Sequence, residues 1–402
     1  MGFSCASQGE ALLALGVLFR VSLWGESHGC CVGALVEGVP PGIRVEEGMF
    51  ERDMARRRPG RRLTTPRREP DRVEVLSGVY MGYTTGAPVM LLIRNRDVDS
   101  SFYEEEVRFR PRPGHADLPA RLRAMGFEDY RGGGPFSGRL TAGLVAAGVL
   151  AKAVLGEYGV AVYGYLSRLG GVECRVEPPG SWRELRALED ARDRAPVPCP
   201  DEDAASRMEE ELVSTLRRGG ASLGGAAEVL ILWAPPGMGE VLGDSFDADL
   251  AKALFTVPGV KAVELGSGSR LASMTGVEAR DSIRLAREGF SVEPGHGGGV
   301  LGGLTASRVI RVRAVFKPTS TIWAEQETID WRTLEPARTR GRGRHDPAIA
   351  VRGVVAAEAA AAVITVDHLL RFLPYRVGHY LRVERGLLAP GGGGDEGGGD
   401  EG

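Results

Sequence analysis

Two stretches, residues 140–158 and about 354–372, are alanine-rich and apolar on nearly every face at helical spacing. A surface helix keeps its apolar residues on one stripe, so a helix without a polar face is buried on most sides. Each stretch follows a glycine/arginine loop, 132–139 in the first case and 341–346 in the second. The repetition suggests a weak internal duplication, with two core helices side by side and their loops at a shared end. On this reading no apolar run is long enough to span a membrane. The first residues lack the basic region of a signal peptide, so the expected location is the cytoplasm.

Around these helices the pattern alternates between strands and turns. Strand patterns run over 18–23, 31–36, 73–80, 89–94, 160–176, 227–233, 260–265 and 309–316. Helical patterns cover 47–58, 206–218 and 246–255, and the Pro-rich, charged segment 177–205 reads as a surface excursion. Residues 1–14 read as an extension, 15–388 as one catalytic domain, and 389–402 as a low-complexity tail without a core to join.

Composition narrows the chemistry. A net charge of −3 and 6% aromatic residues argue against a nucleic-acid binder working by bulk charge or base stacking. The five cysteines form no CxxC and no metal-ligand spacing, so no metal site is implied. Lysine occurs only at 152, 252, 261 and 317, so arginine supplies nearly all positive charge. Asparagine occurs once, at Asn95, and glutamine only at Gln8 and Gln326.

The loops carry what chemistry there is. In residues 110–141, Pro113 disfavours α geometry at Arg112, and Gly114 permits a positive φ before His115. Gly132-Gly133-Gly134 has no side chains to bury, which suits tight turning or close approach of backbone N–H groups to a ligand. Ser137 to Thr141 then opens a helix, whose first N–H groups favour an anion. The bland alternative is a mobile surface loop. Arg56-Arg57-Arg58 continues past Pro59-Gly60 to Arg61, Arg62, Arg67 and Arg68, a loop able to clamp carboxylates or phosphate. Lys317-Pro318-Thr319-Ser320-Thr321 places a cation and hydroxyls after a strand, which suits phosphate without being a P-loop.

Four of six histidines, His28, His115, His296 and His345, lie in glycine-rich loops. A lone histidine is more often structural, but several beside arginines suit proton transfer near neutral pH. Asp346 could act as a base or could cap the helix that follows. Together these residues describe an enzyme acting on a multiply anionic small molecule with two or more histidines and one aspartate.

Eight segments resemble the chorismate synthase family, in that family's order: LFRVSLWGESHG, RRRPG, TTPRREPDRVEVLSG, RPGHAD, DYRGGG, GGVLGG, KPTST and GRHDP. The likeness covers roughly residues 15–380. It implies an α+β fold: a β-α-β sandwich with a helical layer between antiparallel sheets, assembled as a homotetramer. It implies anti-1,4-elimination of phosphate from 5-enolpyruvylshikimate 3-phosphate to give chorismate, the last common step toward the aromatic amino acids. Reduced FMN is the implied cofactor, with NADPH as an indirect reductant in some members.

By the same resemblance His28 and His115 are the family's two histidines, one near the leaving phosphate and one near the flavin pyrimidine edge. Asp346 matches the carboxylate that works with flavin N5 in removing the C6 proton. Arg57, Arg112, Arg139 and Arg344 match substrate ligands, with Arg57 and Arg344 also reaching the cofactor. Pro135, Phe136, Ser137, Gly302 and Lys317 to Thr321 fall where the family holds FMN. Pro135 and Phe136 depart from the family's usual Arg-Ser, so only backbone contacts carry over there. Leu63 replaces an arginine tied to the nicotinamide cofactor, and Gly295-His296 replaces a usual asparagine pair. Rival readings are another FMN-dependent oxidoreductase acting on an anionic small molecule, and a non-enzymatic arginine-rich binding protein.

Overall fold

The computed structural model describes residues 14–46, 48–59, 69–218, 222–286, 289–293, 295–341 and 346–384. The tail expected over 389–402 lies outside these residues. So does the extension over 1–14, apart from Ala14, which opens an edge strand.

Two five-stranded antiparallel sheets enclose a helical layer. The first runs in the order Ala14–Leu15, Arg20–Gly25, Cys31–Glu37, Val89–Arg94, Val73–Val75. The second runs Val260–Leu265, Val309–Phe316, Gly225–Leu232, Ala161–Leu169, Val172–Glu173. Position in the sheet is visible in the burial. Val309–Phe316 alternates buried and half-buried residues, whereas central Gly225–Leu232 is buried throughout because both of its faces are covered.

Among the described residues seven α-helices accompany the sheets: α1 (Glu51–Arg57), α2 (Asp117–Arg123), α3 (Thr141–Glu157), α4 (Trp182–Arg194), α5 (Glu202–Arg217), α6 (Phe246–Phe255) and α7 (Ile349–Glu384). Helix α3 lies on the first sheet, α7 on the second, and the two pack on each other. Their approach depends on Gly148, where a Cβ would stand 2.5 Å from Ala359 Cβ. The two apolar stretches are therefore the side-by-side core pair that the sequence suggests. The reading of apolar run lengths needs correction, however. Gly138–Glu157 and Ile349–Pro374 are long and apolar enough to cross a membrane, but 72% and 83% of their apolar windows are buried inside the protein.

Other boundaries also shift. The expected strand over 73–80 is broken at the turn before Val79–Tyr80, and 160–176 folds back on itself as Ala161–Leu169 and Val172–Glu173. The helix expected over 47–58 spans only Glu51–Arg57, and the second apolar helix runs well past both expected ends. Residues 177–205 lie largely at the surface, as expected, but are helical rather than irregular. They form α4 and the start of α5, capped by the side chains of Ser181 and Asp201. Helix α4 closes over the second sheet, with the Tyr163 hydroxyl donating to Leu188 O at 3.3 Å and Arg192 Nη1 to Gly164 O at 2.9 Å. An additional antiparallel ladder, Glu325–Asp330 with Glu335–Arg340, follows the 317–321 segment.

One polar cluster pins the layers together. Glu358 of α7 accepts from Arg56 of α1 (2.8 and 2.9 Å), Lys152 of α3 (2.8 Å), Arg192 of α4 (3.1 Å) and Gly164 N (2.9 Å). Burial alone would raise this carboxyl, but Arg56, Lys152 and Arg192 outweigh it and hold it well below the ordinary range.

Candidate active site

His28 sits in the tight turn between Arg20–Gly25 and Cys31–Glu37 and is almost fully buried. Its Nδ1 lies 2.9 Å from Ser100 Oγ, and its ring meets Tyr103 edge-on at 5.0 Å. Gly132 presses against the other side of the imidazole. Its φ is 60°, and a Cβ there would stand 2.6 Å from His28 Nε2, so only glycine fits. Gly133 and Gly134 also have positive φ, and Gly134 O accepts from Ser27 N at 3.3 Å.

From Tyr103 the contacts lead to Arg112, whose guanidinium lies 5.1 Å from the ring centroid. Arg112 forks onto Asp117, with Nε and Nη2 each donating at 2.8 Å. Burial would raise the Asp117 carboxyl, but the Arg112 hydrogen bonds outweigh it and keep it below its usual value. His115 follows two residues after Pro113, and its Nε2 is 2.6 Å from Thr321 Oγ1. Lys317 Nζ donates to Gly114 O and, at 2.8 Å, to Ser320 Oγ. Burial, then the charge of Lys261, push the Lys317 amine below its usual pKa.

The same segment reaches Asp346, because Thr319 Oγ1 donates to Asp346 O at 2.6 Å. Asp346 Oδ2 accepts from Arg352 Nη1 at 2.7 Å, and Arg352 Nε donates to Arg57 O at 2.8 Å. Arg57 crosses to the start of α3, donating to Thr141 Oγ1 (3.2 Å), Gly138 O (3.2 Å) and Arg139 O (3.3 Å). The N-terminal ends of both core helices thus come to Arg57.

Arg57 Nη1 donates to Asp71 Oδ2 at 2.6 Å, and Arg139 Nη1 takes the other oxygen. Burial works against the Asp71 charge, but Arg57 and Arg139 overcome it and lower the carboxyl pKa. Burial brings Arg57 down to about 10, aided by Arg352 and Arg139 and opposed by Asp71, so it stays charged at neutral pH. Arg139 Nε donates to Asn95 Oδ1 at 2.7 Å, and Asn95 reaches back to the turn holding His28.

The contacts close on themselves. His28, His115 and Asp346, more than 300 residues apart at the extremes, lie on one circuit with Arg57, Arg112, Arg139 and Lys317–Thr321. Ser137 joins it as the cap that accepts from Arg139 N at 3.3 Å. Pro135 and half-exposed Phe136 border it, and Phe136 lines a small cleft with Asp117, Tyr130, Gly133 and Trp331. Gly302 lies on a separate hairpin, Val300–Leu301 with Leu304–Thr305, whose Gly303 packs against Ser245. Arg344 lies outside the described residues, as do His345 and Arg61, Arg62, Arg67 and Arg68. The described part of the arginine run is already paired with carboxylates: Arg56 with Glu358, Asp53 and Asp193, Arg57 with Asp71 and Arg58 with Glu51.

Sequence reasoning missed Asp71, Tyr103, Asp117, Arg352 and Asn95. Asp71 and Asp117 lie inside the segments TTPRREPDRVEVLSG and RPGHAD and Asn95 is the one asparagine in the chain, whereas Tyr103 and Arg352 carried no signal.

The donor set suits a phosphorylated cofactor. Lys317 is a half-buried cation whose hydrogen-bond partners are neutral oxygens, set among the hydroxyls of Thr319, Ser320 and Thr321. Of the triple glycine, Gly133 is the uncrowded member, with only the Arg112 guanidinium and Ser137 within 4 Å of where a Cβ would stand.

A family model described as chorismate synthase matches residues 19–370. The chorismate synthase of Aeropyrum pernix is 51% identical over 357 residues, covering 89% of this chain and 92% of the relative. That of Thermococcus gammatolerans is 46% identical over 358 residues, covering 89% and 97%. A crystal structure of chorismate synthase superposes with a TM-score of 0.70 at 24% identity, covering 92% of this chain and 99% of that one, and shows the same fold.

Proposed function

The chain belongs to the chorismate synthase family of lyases, and from that membership we propose how its residues divide the work of expelling phosphate from 5-enolpyruvylshikimate 3-phosphate. The observation that supports this most is the closed circuit joining His28, His115 and Asp346. Reduced FMN, when bound, supplies an electron-rich ring beside the substrate.

Arg57, Arg112 and Arg139 meet the substrate's two carboxylates and its phosphate, as does Arg344. Guanidinium groups already held in fixed orientation by Asp71 and Asp117 lose little freedom on binding an anion. Asp346 accepts the proton leaving C6, its carboxylate aimed by Arg352. His28 gives a proton to the leaving phosphate, its ring fixed by Ser100, Tyr103 and Gly132. His115, hydrogen-bonded to Thr321, holds a proton at the edge of the cofactor. The cofactor's anionic part is met by Lys317, Pro318, Thr319, Ser320 and Thr321. Backbone at Pro135, Phe136 and Ser137, with Arg57 and Arg344, completes its site, and Gly302, on its separate hairpin, is assigned there from the family likeness alone. The enzyme works as a homotetramer in the cytoplasm, with NADPH as an indirect source of the flavin's electrons.

Anaerobic incubation with reduced FMN and the substrate tests the reading. Phosphate and chorismate absorbance should rise together without net reductant consumption. His28→Ala, His115→Ala and Asp346→Asn should each lower turnover at saturating FMN by about 10²–10⁴-fold with the fold intact, the usual range for a lost proton-transfer group. Turnover like that of the wild type in all three would refute the assignment.

A further inference from the structure

The turn bearing His28 is clasped by one side chain. Asn95 Nδ2 donates to Glu26 O (3.1 Å), Ser27 O (3.2 Å) and Gly29 O (2.8 Å), sharing two hydrogens among three carbonyls on either side of His28. Its backbone N donates to Cys30 O at 3.0 Å. At its other end Oδ1 accepts from Arg139 Nε at 2.7 Å. We infer that Asn95 is a positioning residue for the reaction, yoking the His28 turn to Arg139 so that the proton donor and the anion-binding arginine keep a fixed separation.

The chemistry of the site leaves few other choices. The side chain must donate two hydrogens at one end and accept at the other across a short reach, which only a carboxamide does. Glutamine adds a methylene. Aspartate would still accept from Arg139 but would set a carboxylate against three carbonyl oxygens. Serine can donate one hydrogen and is too short to span both partners. The chain spends its only asparagine here, while glutamine appears just twice. Without the Asn95 side chain the turn keeps Gly29 N to Glu26 O at 3.1 Å, the main-chain bond from position 95 to Cys30 O at 3.0 Å and a longer bond, Ser27 N to Gly134 O at 3.3 Å. The Ser100 and Gly132 contacts would then bear on a ring whose backbone can drift.

The inference rests on His28 acting in turnover, so the test separates the two ideas. Full-length wild type, Asn95→Asp, Asn95→Ala and His28→Ala are compared for thermal melting, kcat and KM with reduced FMN, and amide hydrogen exchange over 26–30. Both Asn95 variants should keep a cooperative melt and lose about 10–100-fold in kcat, the cost of roughly an ångström of misplacement, with KM changed less than about threefold. Exchange should rise over 26–30 and not in Val89–Arg94. Asn95→Asp should be as impaired as Asn95→Ala despite its matching shape, because the donors are what matter. The proposal falls if Asn95→Asp turns over within about twofold of wild type, if exchange over 26–30 is unchanged, or if both variants lose their melt and so mark a purely structural residue. Normal turnover in His28→Ala would instead refute the role of His28, and exchange over 26–30 would still decide whether Asn95 holds the turn.

Discussion

Asp71 occupies left-handed backbone, φ 46°, with almost no solvent exposure, between the guanidinium groups of Arg57 and Arg139. Aspartate and asparagine tolerate that conformation better than most residues, so Asp71→Asn would leave the backbone at ease and remove only the charge. Two buried cations would then face each other without their shared anion. Breaking a buried pair in this way costs about 3–5 kcal/mol, so the variant should melt well below wild type and lose turnover as the arginines separate. An unchanged melting temperature would mean that solvent or another carboxylate takes Asp71's place. The arginines of the site were legible in the sequence because they stand among glycines and prolines that exclude a packed role. Their carboxylates were not. Asp71 lies 14 residues from Arg57 and 68 from Arg139, and no local pattern announces a pairing that exists only after the first sheet has formed.

The helices show the same division one scale up. Helices α3 and α7 could be read directly, since a helix without a polar face must be enclosed. Helix α4 could not, because it shows mostly charge and buries little beyond Leu185 and Arg192. Its place is set by Arg192 reaching Gly164 and Glu358, and by Arg52 of α1 meeting Glu189 and Asp193 at 2.8 and 2.9 Å. The seam between α3 and α7 makes its own prediction. Any side chain at Gly148 must push against Ala359, and the two sheets limit how far the helices can part. Gly148→Val should therefore destabilise by about 1–3 kcal/mol or more, as overpacking does, and lower the thermal midpoint. Because the N-terminal ends of both helices meet at Arg57, turnover should also fall at temperatures where the variant is still folded. A variant that melts like wild type would show that the helices can slide apart freely.

At the scale of the molecule, charge buried between layers ties stability to pH in one direction. His368 is pushed down from its ordinary value of 6.5 by burial and by Arg371, against the pull of Asp249. A depressed histidine contributes stability that is complete above about 6.5 and declines as pH falls through its lower folded value. Glu358 behaves likewise from its ordinary 4.5, and Asp71, Asp117 and Asp193 from 3.8, since arginine or lysine partners lower all four despite their burial. The melting temperature should therefore be level above neutrality, slope gently downward below about pH 6.5, and fall steeply below about 4.5. Glu358→Gln separates this mechanism from general acid swelling. It should melt lower than wild type at pH 7, because Arg56, Lys152 and Arg192 lose their common anion. Its decline below pH 4.5 should also be shallower, since one of the linked protons is gone. Calorimetric melts of both proteins from pH 8 to 3 would decide it, and an acid limb of equal steepness in the two would place the linkage in other groups.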